Sequence, residues 1–333
     1  MHKHHGRRAS SVLAALALLA AGGCGTPSGA ATDGSGGGSS DGGGPGTDAG
    51  SPATTTEVSG SLTASGTWSD GILLTGDTTI EAGVTITVSP GTEIHGNTGV
   101  RLFVNGTLDV QGTDAQNVTF AAAAGAPTWA GIRVEAGGTL SMTYTTATTT
   151  QNVVLCDTGA VSCDLDHIRF FGVSKAFEYR APGTVSFASI QDIDDGGVAV
   201  APGGDVTITD SYIWASSADL VKTSGGSFSI DHCEIGSSAT YQHCLIHIGA
   251  ATTATITNNT LVGGVYAFMI GNTAGTAVNY NNIVDNDTRV LNLGGVTNVD
   301  MRFNYWDTGA PSLGASYDTS SPAAAPYTDV GPR

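Results

Sequence analysis

Apolar and polar positions alternate along most of the chain beyond residue 60, with little helical periodicity. The clearest run is Thr78-Thr79-Ile80-Glu81-Ala82-Gly83-Val84-Thr85-Ile86-Thr87-Val88, the pattern of strands with one face buried. Ser89-Pro90-Gly91 ends it with turn residues. Further downstream a marker recurs, one apolar residue followed five positions later by another. The pairs read Leu165/Phe170, Ile208/Ile213, Ile230/Ile235, Ile256/Leu261, Val278/Ile283 and Met301/Trp306, and Phe187/Ile193 fits if one residue is inserted. A step of roughly 21 to 26 residues predicts a solenoid, since each repeat can bury its apolar face only against its neighbours.

A coil of about 22 residues suits three short strands joined by three turns, each strand stacking about 4.8 Å from its counterpart. Residues 78–306 then make about ten coils and a rod on the order of 50 Å long. Segments 57–77 and 307–333 are expected to cover its open ends, which would otherwise expose unpaired strand edges. Three positions past the marker the chain reads Ser211, Cys233, Asn259, Asn281 and Asn304. In register, the three asparagines form an inward ladder in which side-chain amides satisfy the backbone of successive turns. That assignment makes them scaffold rather than chemistry.

Several motifs carry a resemblance. Ala82-Gly83-Val84-Thr85-Ile86-Thr87-Val88-Ser89-Pro90-Gly91-Thr92, then Val104-Asn105-Gly106-Thr107-Leu108 and Gln111-Gly112-Thr113, are similar to the opening coils of bacterial surface proteins with a right-handed parallel β-helix. Phe303-Asn304-Tyr305-Trp306-Asp307 resembles the Asn-Tyr-Trp-Gly segment near the last coils of that pectate-lyase-like superfamily. The resemblance spans nearly all of residues 60–333 and implies an all-β fold. It is almost silent on activity, because the superfamily holds lyases, polysaccharide hydrolases and adhesins alike.

Ahead of this region, residues 1–23 read as an export signal: Lys3, Arg7 and Arg8, then an apolar stretch from Val12 to Ala21, then small residues before Cys24. The stretch is too short to span a bilayer, which needs about twenty residues. Ala21-Gly22-Gly23-Cys24 resembles the lipobox of bacterial lipoproteins, which implies cleavage before Cys24 and its lipidation, although Ala21 stands where that family usually has Leu. Residues 24–56 are rich in Gly, Ser and Thr and read as a flexible tether, leaving 57–333 as the folded domain. The expected location is the cell envelope, by resemblance the outer membrane. Removing Lys3, Arg7 and Arg8 with the signal shifts the formal net charge from −17 to −20. Such a surface excludes nucleic acid as a partner, because that binding rests on cationic contacts to phosphate. Calcium, a polysaccharide or a surface protein remain compatible. Cys156, Cys163, Cys233 and Cys244 permit two disulfides in an exported protein, the local pairs being Cys156–Cys163 and Cys233–Cys244.

Candidate chemistry is sparse. Asp192, Asp194 and Asp195 are the densest acidic group, able in principle to hold calcium through hard oxygens or to divide acid and base roles in glycoside cleavage. The adjacent pair resembles β-helical polygalacturonases, but their Gly-His-Gly and Arg-Ile-Lys segments are missing. Equally, aspartates favour solvated corners. Arg180 and Lys222 fall near one column, where they are expected to bridge surface acids, the alternative being that they flank Asp194 and Asp195 as a lyase would need. His167, Ser189, Asp210 and His232 share a column but lie too far apart for a triad, with Asp210 and His232 close enough to pair. His243 and His247 flank Cys244 without forming a metal face. Trp129, Tyr212, Trp214, Tyr241 and Tyr266 are the candidate exposed aromatics. Tyr212 and Trp214 bracket Ile213, so alternation turns both outward, as a sugar-stacking patch or as surface covered by a loop. The expectation is a lipid-anchored β-helix that binds a glycan or protein without catalysis, with a polysaccharide lyase or glycoside hydrolase as the alternative.

Overall fold

The computed structural model describes residues 55–215, 219–237, 243–251 and 253–333. The expected signal, Cys24 and the tether up to residue 54 lie outside these residues, as does Tyr241, whereas Thr55 and Thr56, expected to belong to the tether, begin the first strand. Within them the fold is an all-β, right-handed parallel β-helix of about ten turns. Three stacked parallel sheets form its walls, and apolar columns fill its interior. In the first sheet Trp68, Val88, Val110, Met142, Leu165, Val185, Ile208, Ile230, Ile256 and Val278 lie in register. The second stacks Ile94, Phe120, Ala147, Phe170, Ile190, Ile213, Ile235, Leu261, Ile283 and Trp306. The third stacks Ile80, Val104, Val134, Cys156, Tyr179, Val200, Thr223, Ile248 and Ile270. Nearly all of these side chains are fully buried, so the fold is held by apolar surface removed from water plus parallel ladders that close the backbone hydrogen bonds.

The register corrects the repeat at one coil. Its marker pair is Val185/Ile190, spaced like the others, and no residue is inserted. Phe187 sits instead at an exposed corner with φ +49°. The same left-handed backbone recurs at Tyr144, His167, Phe187, Asp210, His232, Asn258, Tyr280 and Phe303, between +42° and +61°. Non-glycine residues adopt it rarely. Here each one turns the chain from the first sheet to the second in a single residue.

The residue after that corner points inward, and there Asn259, Asn281 and Asn304 are fully buried. Asn281 Oδ1 accepts from the backbone N–H and side-chain Nδ2 of Asn259, both at 2.9 Å. Asn304 Oδ1 does the same for Asn281 at 3.0 Å. The amide nitrogens of all three donate to backbone carbonyls of Ile230, Ile256 and Val278 in turn. Asn259 Oδ1 extends the chain to the backbone N–H of Cys233 at 2.7 Å.

At the first end, Thr55–Leu62 pairs with Gly71–Ile80, so residues 57–77 are themselves coil and not a separate cover. Beyond the last coil, the tail folds back along the corner column. Ala323 N–H donates to Asn304 O, and the Asn282 amide brackets the backbone of Tyr327 with two bonds of 2.9 Å. Gly331 N–H reaches Asn258 O, and the Arg333 guanidinium contacts His232. Residues 321–333 therefore strap the side of several coils. A disulfide joins Cys156 to Cys163 around one corner inside the core. No disulfide joins Cys233 to Cys244: Cys233 occupies the asparagine column and Cys244 the third sheet, and both are buried. Burial pushes the Cys233 thiol up to about 12 and Cys244 well above its ordinary value.

Candidate ligand-binding site

Outward positions of the second sheet make the most articulated surface. Register places Arg169, Ser189, Tyr212, Glu234 and Thr260 in one outward column. Phe171, Gln191, Trp214, Gly236 and Val262 form the parallel one beside it. Tyr212 and Trp214 lie two residues apart on one strand, so both rings leave the same face. They stack with centroids 5.4 Å apart and planes within 4°. Gly236 makes this possible. A Cβ there would sit 2.2 Å from Trp214 Cζ3, so the glycine lets the indole lie flat over the next coil. Next to this pair, Arg169, Phe170, Phe171, Ser189, Gln191 and Asp192 line a pocket of about 190 Å³. Phe171 is 44% exposed, and Ser189 and Gln191 lie in register between its coil and that of the aromatic pair.

The electrostatics of this face are uneven. Glu234 lies directly across from Tyr212, half-buried, and desolvation pushes its carboxyl up from its ordinary range. Burial together with the Glu234 charge raises the Tyr212 hydroxyl. Glu234 was not singled out from sequence, because one acid at a strand position carries no local signal.

The acidic group expected to act together is divided. Asp192 is exposed at φ +53° and lines the pocket beside the aromatic pair. Asp195 belongs to a second pocket, of about 150 Å³, with Lys175, Phe177, Ala199, Asp219 and Lys222. Its carboxylate pairs with Lys175 at 3.3 Å. Asp194 is exposed, with its backbone N–H bonded to Val173 O. Among the described residues, no group of three or more His, Cys, Asp or Glu is placed to hold a metal ion. Arg180 and Lys222 do not share a column: Lys222 is level with Glu178, two residues before Arg180. Arg180 is held by Glu178 at 2.6 Å and Asp157 at 3.2 Å, far from a cleft role, while Lys222 does line Asp195's pocket.

That second pocket adjoins an arrangement which sequence spacing concealed. Val221 pairs with Ile246, so Asp219 sits level with Cys244, between His243 and His247. Both imidazoles donate through Nδ1 to Asp219, His247 to Oδ2 at 2.7 Å and His243 to Oδ1. Lys222 Nζ stands 3.7 Å from Oδ2. Burial works to raise the Asp219 carboxyl, but the two histidines outweigh it and hold the group below its ordinary range.

The mixed His/Ser/Asp column also resolves differently. His167, Phe187, Asp210 and His232 occupy it, and Ser189 does not. His167 donates to Asp166 at 2.8 Å and stacks between Tyr144 and Phe187, at 4.4 and 4.7 Å. His232 pairs with Asp231 at 2.7 Å and with Arg333, not with Asp210. Trp129 is a core residue, fully buried, its Nε1 donating to Thr150 Oγ1 at 2.7 Å. Tyr266 is half-buried in the third sheet. Exposed Phe171, Phe187 and Tyr280 replace Trp129 among the surface aromatics. Comparison with protein-family models and with curated protein sequences finds no match to the chain.

Proposed function

We propose that this β-helix is a non-catalytic glycan-binding scaffold of the cell envelope, with its site on the second sheet around Tyr212 and Trp214. The observation that carries it is the stacked Tyr212–Trp214 pair, its ring planes parallel within 4°, beside a pocket edged by Arg169, Gln191 and Asp192. Sugar rings present apolar C–H faces and polar rims, and a flat aromatic surface next to amide, carboxylate and guanidinium groups matches both. The parallel walls support this role, because side chains on stacked strands are fixed about 4.8 Å apart and need little ordering on binding. Export and lipidation at Cys24 rest on the N-terminal sequence pattern and place such a scaffold on a membrane tether.

The alternative, a polysaccharide lyase or glycoside hydrolase, needs two groups facing one bond. Asp192 and Asp195 line different pockets, so the geometry lends that reading no support of its own. A panel of neutral, acidic and amino-sugar oligosaccharides tests both. Retention without turnover, lost in Trp214→Ala and in Tyr212→Ala, is the expected result. Product formation abolished by Asp192→Ala or Asp195→Ala contradicts the binding role. Fatty-acid labelling that vanishes in Cys24→Ala is expected for the anchor, and label that persists removes it.

A further inference from the structure

Most buried or half-buried carboxylates on this rod are matched. Asp157 meets Arg133 and Arg180, Asp219 meets His243 and His247, Asp231 meets His232 and Asn258, and Asp300 meets Arg302. Glu234 differs. It is half-buried between Tyr212 on one coil and Thr260 on the next, and neither a cation nor a hydrogen-bond donor of the described residues meets its side chain. A partly desolvated carboxylate without a partner costs stability, and its natural complement is a cation supplied from outside.

From this we infer that the aromatic face selects glycans bearing primary ammonium groups, with Glu234 as counter-ion and the Tyr212–Trp214 pair as the platform. The inference rests on the glycan reading above and names the chemistry of its ligand. Two independent features converge on it. An ammonium group gains from the negative faces of Tyr and Trp as well as from a carboxylate, and here both stand on adjacent coils. Gly236 in turn keeps the indole low, so a sugar ring lying over Trp214 has its substituents beside the Glu234 position. Desolvation of Glu234, visible in its raised carboxyl, means that a bound cation is screened less by solvent than at an open surface.

Arg169 does not cancel this field. It stands three coils from Glu234 in the same column, about 14 Å by strand spacing, which exceeds the screening length of about 8 Å at physiological salt. Its guanidinium is available to sugar hydroxyls at the other end of a short oligomer. The net charge of −17 favours approach of a polycation in general, so the test must separate Glu234 from the bulk charge.

The experiment is calorimetric titration of the full chain with three oligosaccharides of equal length: glucosamine, N-acetylglucosamine and glucose oligomers, each β-1,4-linked. The glucosamine oligomer should bind about tenfold tighter than either neutral one. Glu234→Gln should remove that preference, while Asp114→Asn, a remote acid, should alter nothing. Trp214→Ala should weaken all three. Equal or weaker binding of the glucosamine oligomer, or a preference that survives Glu234→Gln, overturns the ammonium inference while the neutral oligomers still report on glycan binding. Absence of binding by all three overturns the glycan reading and this inference together.

Discussion

At the residue scale, the asparagine ladder shows how a side chain too polar for a core becomes obligatory there. The Asn281 side chain has five hydrogen-bond partners within the buried corner, two donating to Oδ1 and three acceptors sharing the two hydrogens of Nδ2. Asn281→Ala leaves the Asn259 amides and the Ile256 and Asn279 carbonyls without this partner. The expected loss is about 3 kcal/mol or more in chemical denaturation. A loss below about 1 kcal/mol would mean that water replaces the amide. Carboxylates act at the same scale through pH. Arg302, hydrogen-bonded to Asp300, holds that carboxyl at about 2, against an ordinary 3.8. Its folded value is depressed, so its contribution is complete above the ordinary range and fades as pH falls from about 4 toward about 2. Stability measured against pH should therefore decline across that window, and Asp300→Asn should flatten the decline. Both members of the pair are partly open to solvent, so the effect is a modest one.

At the scale of the coil, the sequence carries the interior more clearly than the corners. Alternation in Thr78–Val88 and the five-residue spacing of the marker pairs report the apolar columns directly, because burial acts on every second side chain. Phe187 misled the register since an exposed corner aromatic reads as apolar, although its buried neighbours Val185 and Ile190 keep the spacing. Asp219 was invisible for another reason. It meets His243 and His247 across 24 and 28 residues, and only knowledge of the register brings such positions level. Glu234 beside Tyr212 was hidden in the same way, while Tyr212 and Trp214 were legible because they share one strand. Close packing between coils yields a sharper expectation. At Gly131, φ is +94° and a Cβ would lie 1.7 Å from Asn152 O, whereas Gly137, at +83°, has open space. Gly131→Ala should cost more than about 4 kcal/mol or abolish folding, and Gly137→Ala about 1 kcal/mol. Equal costs in thermal unfolding would contradict the stacking of Gly131 against the neighbouring coil.

At the scale of the molecule, the stack converts a linear repeat into fixed faces with separate characters. The third sheet carries the Asp219–histidine cluster and its lysine-lined pocket, the corner column is half covered by the C-terminal strap, and the second sheet presents the aromatic pair. Binding at that last face is the central claim, and tryptophan emission tests it directly. Trp68, Trp129 and Trp306 are all buried, whereas Trp214 is half-exposed and belongs to the proposed site. Titration of the full chain with β-1,4-linked glucosamine oligomers should produce a saturable change in emission that disappears in Trp214→Phe, together with weaker binding by calorimetry. A change that persists in Trp214→Phe, or binding with no change in the wild-type protein, would place the ligand elsewhere and contradict the account.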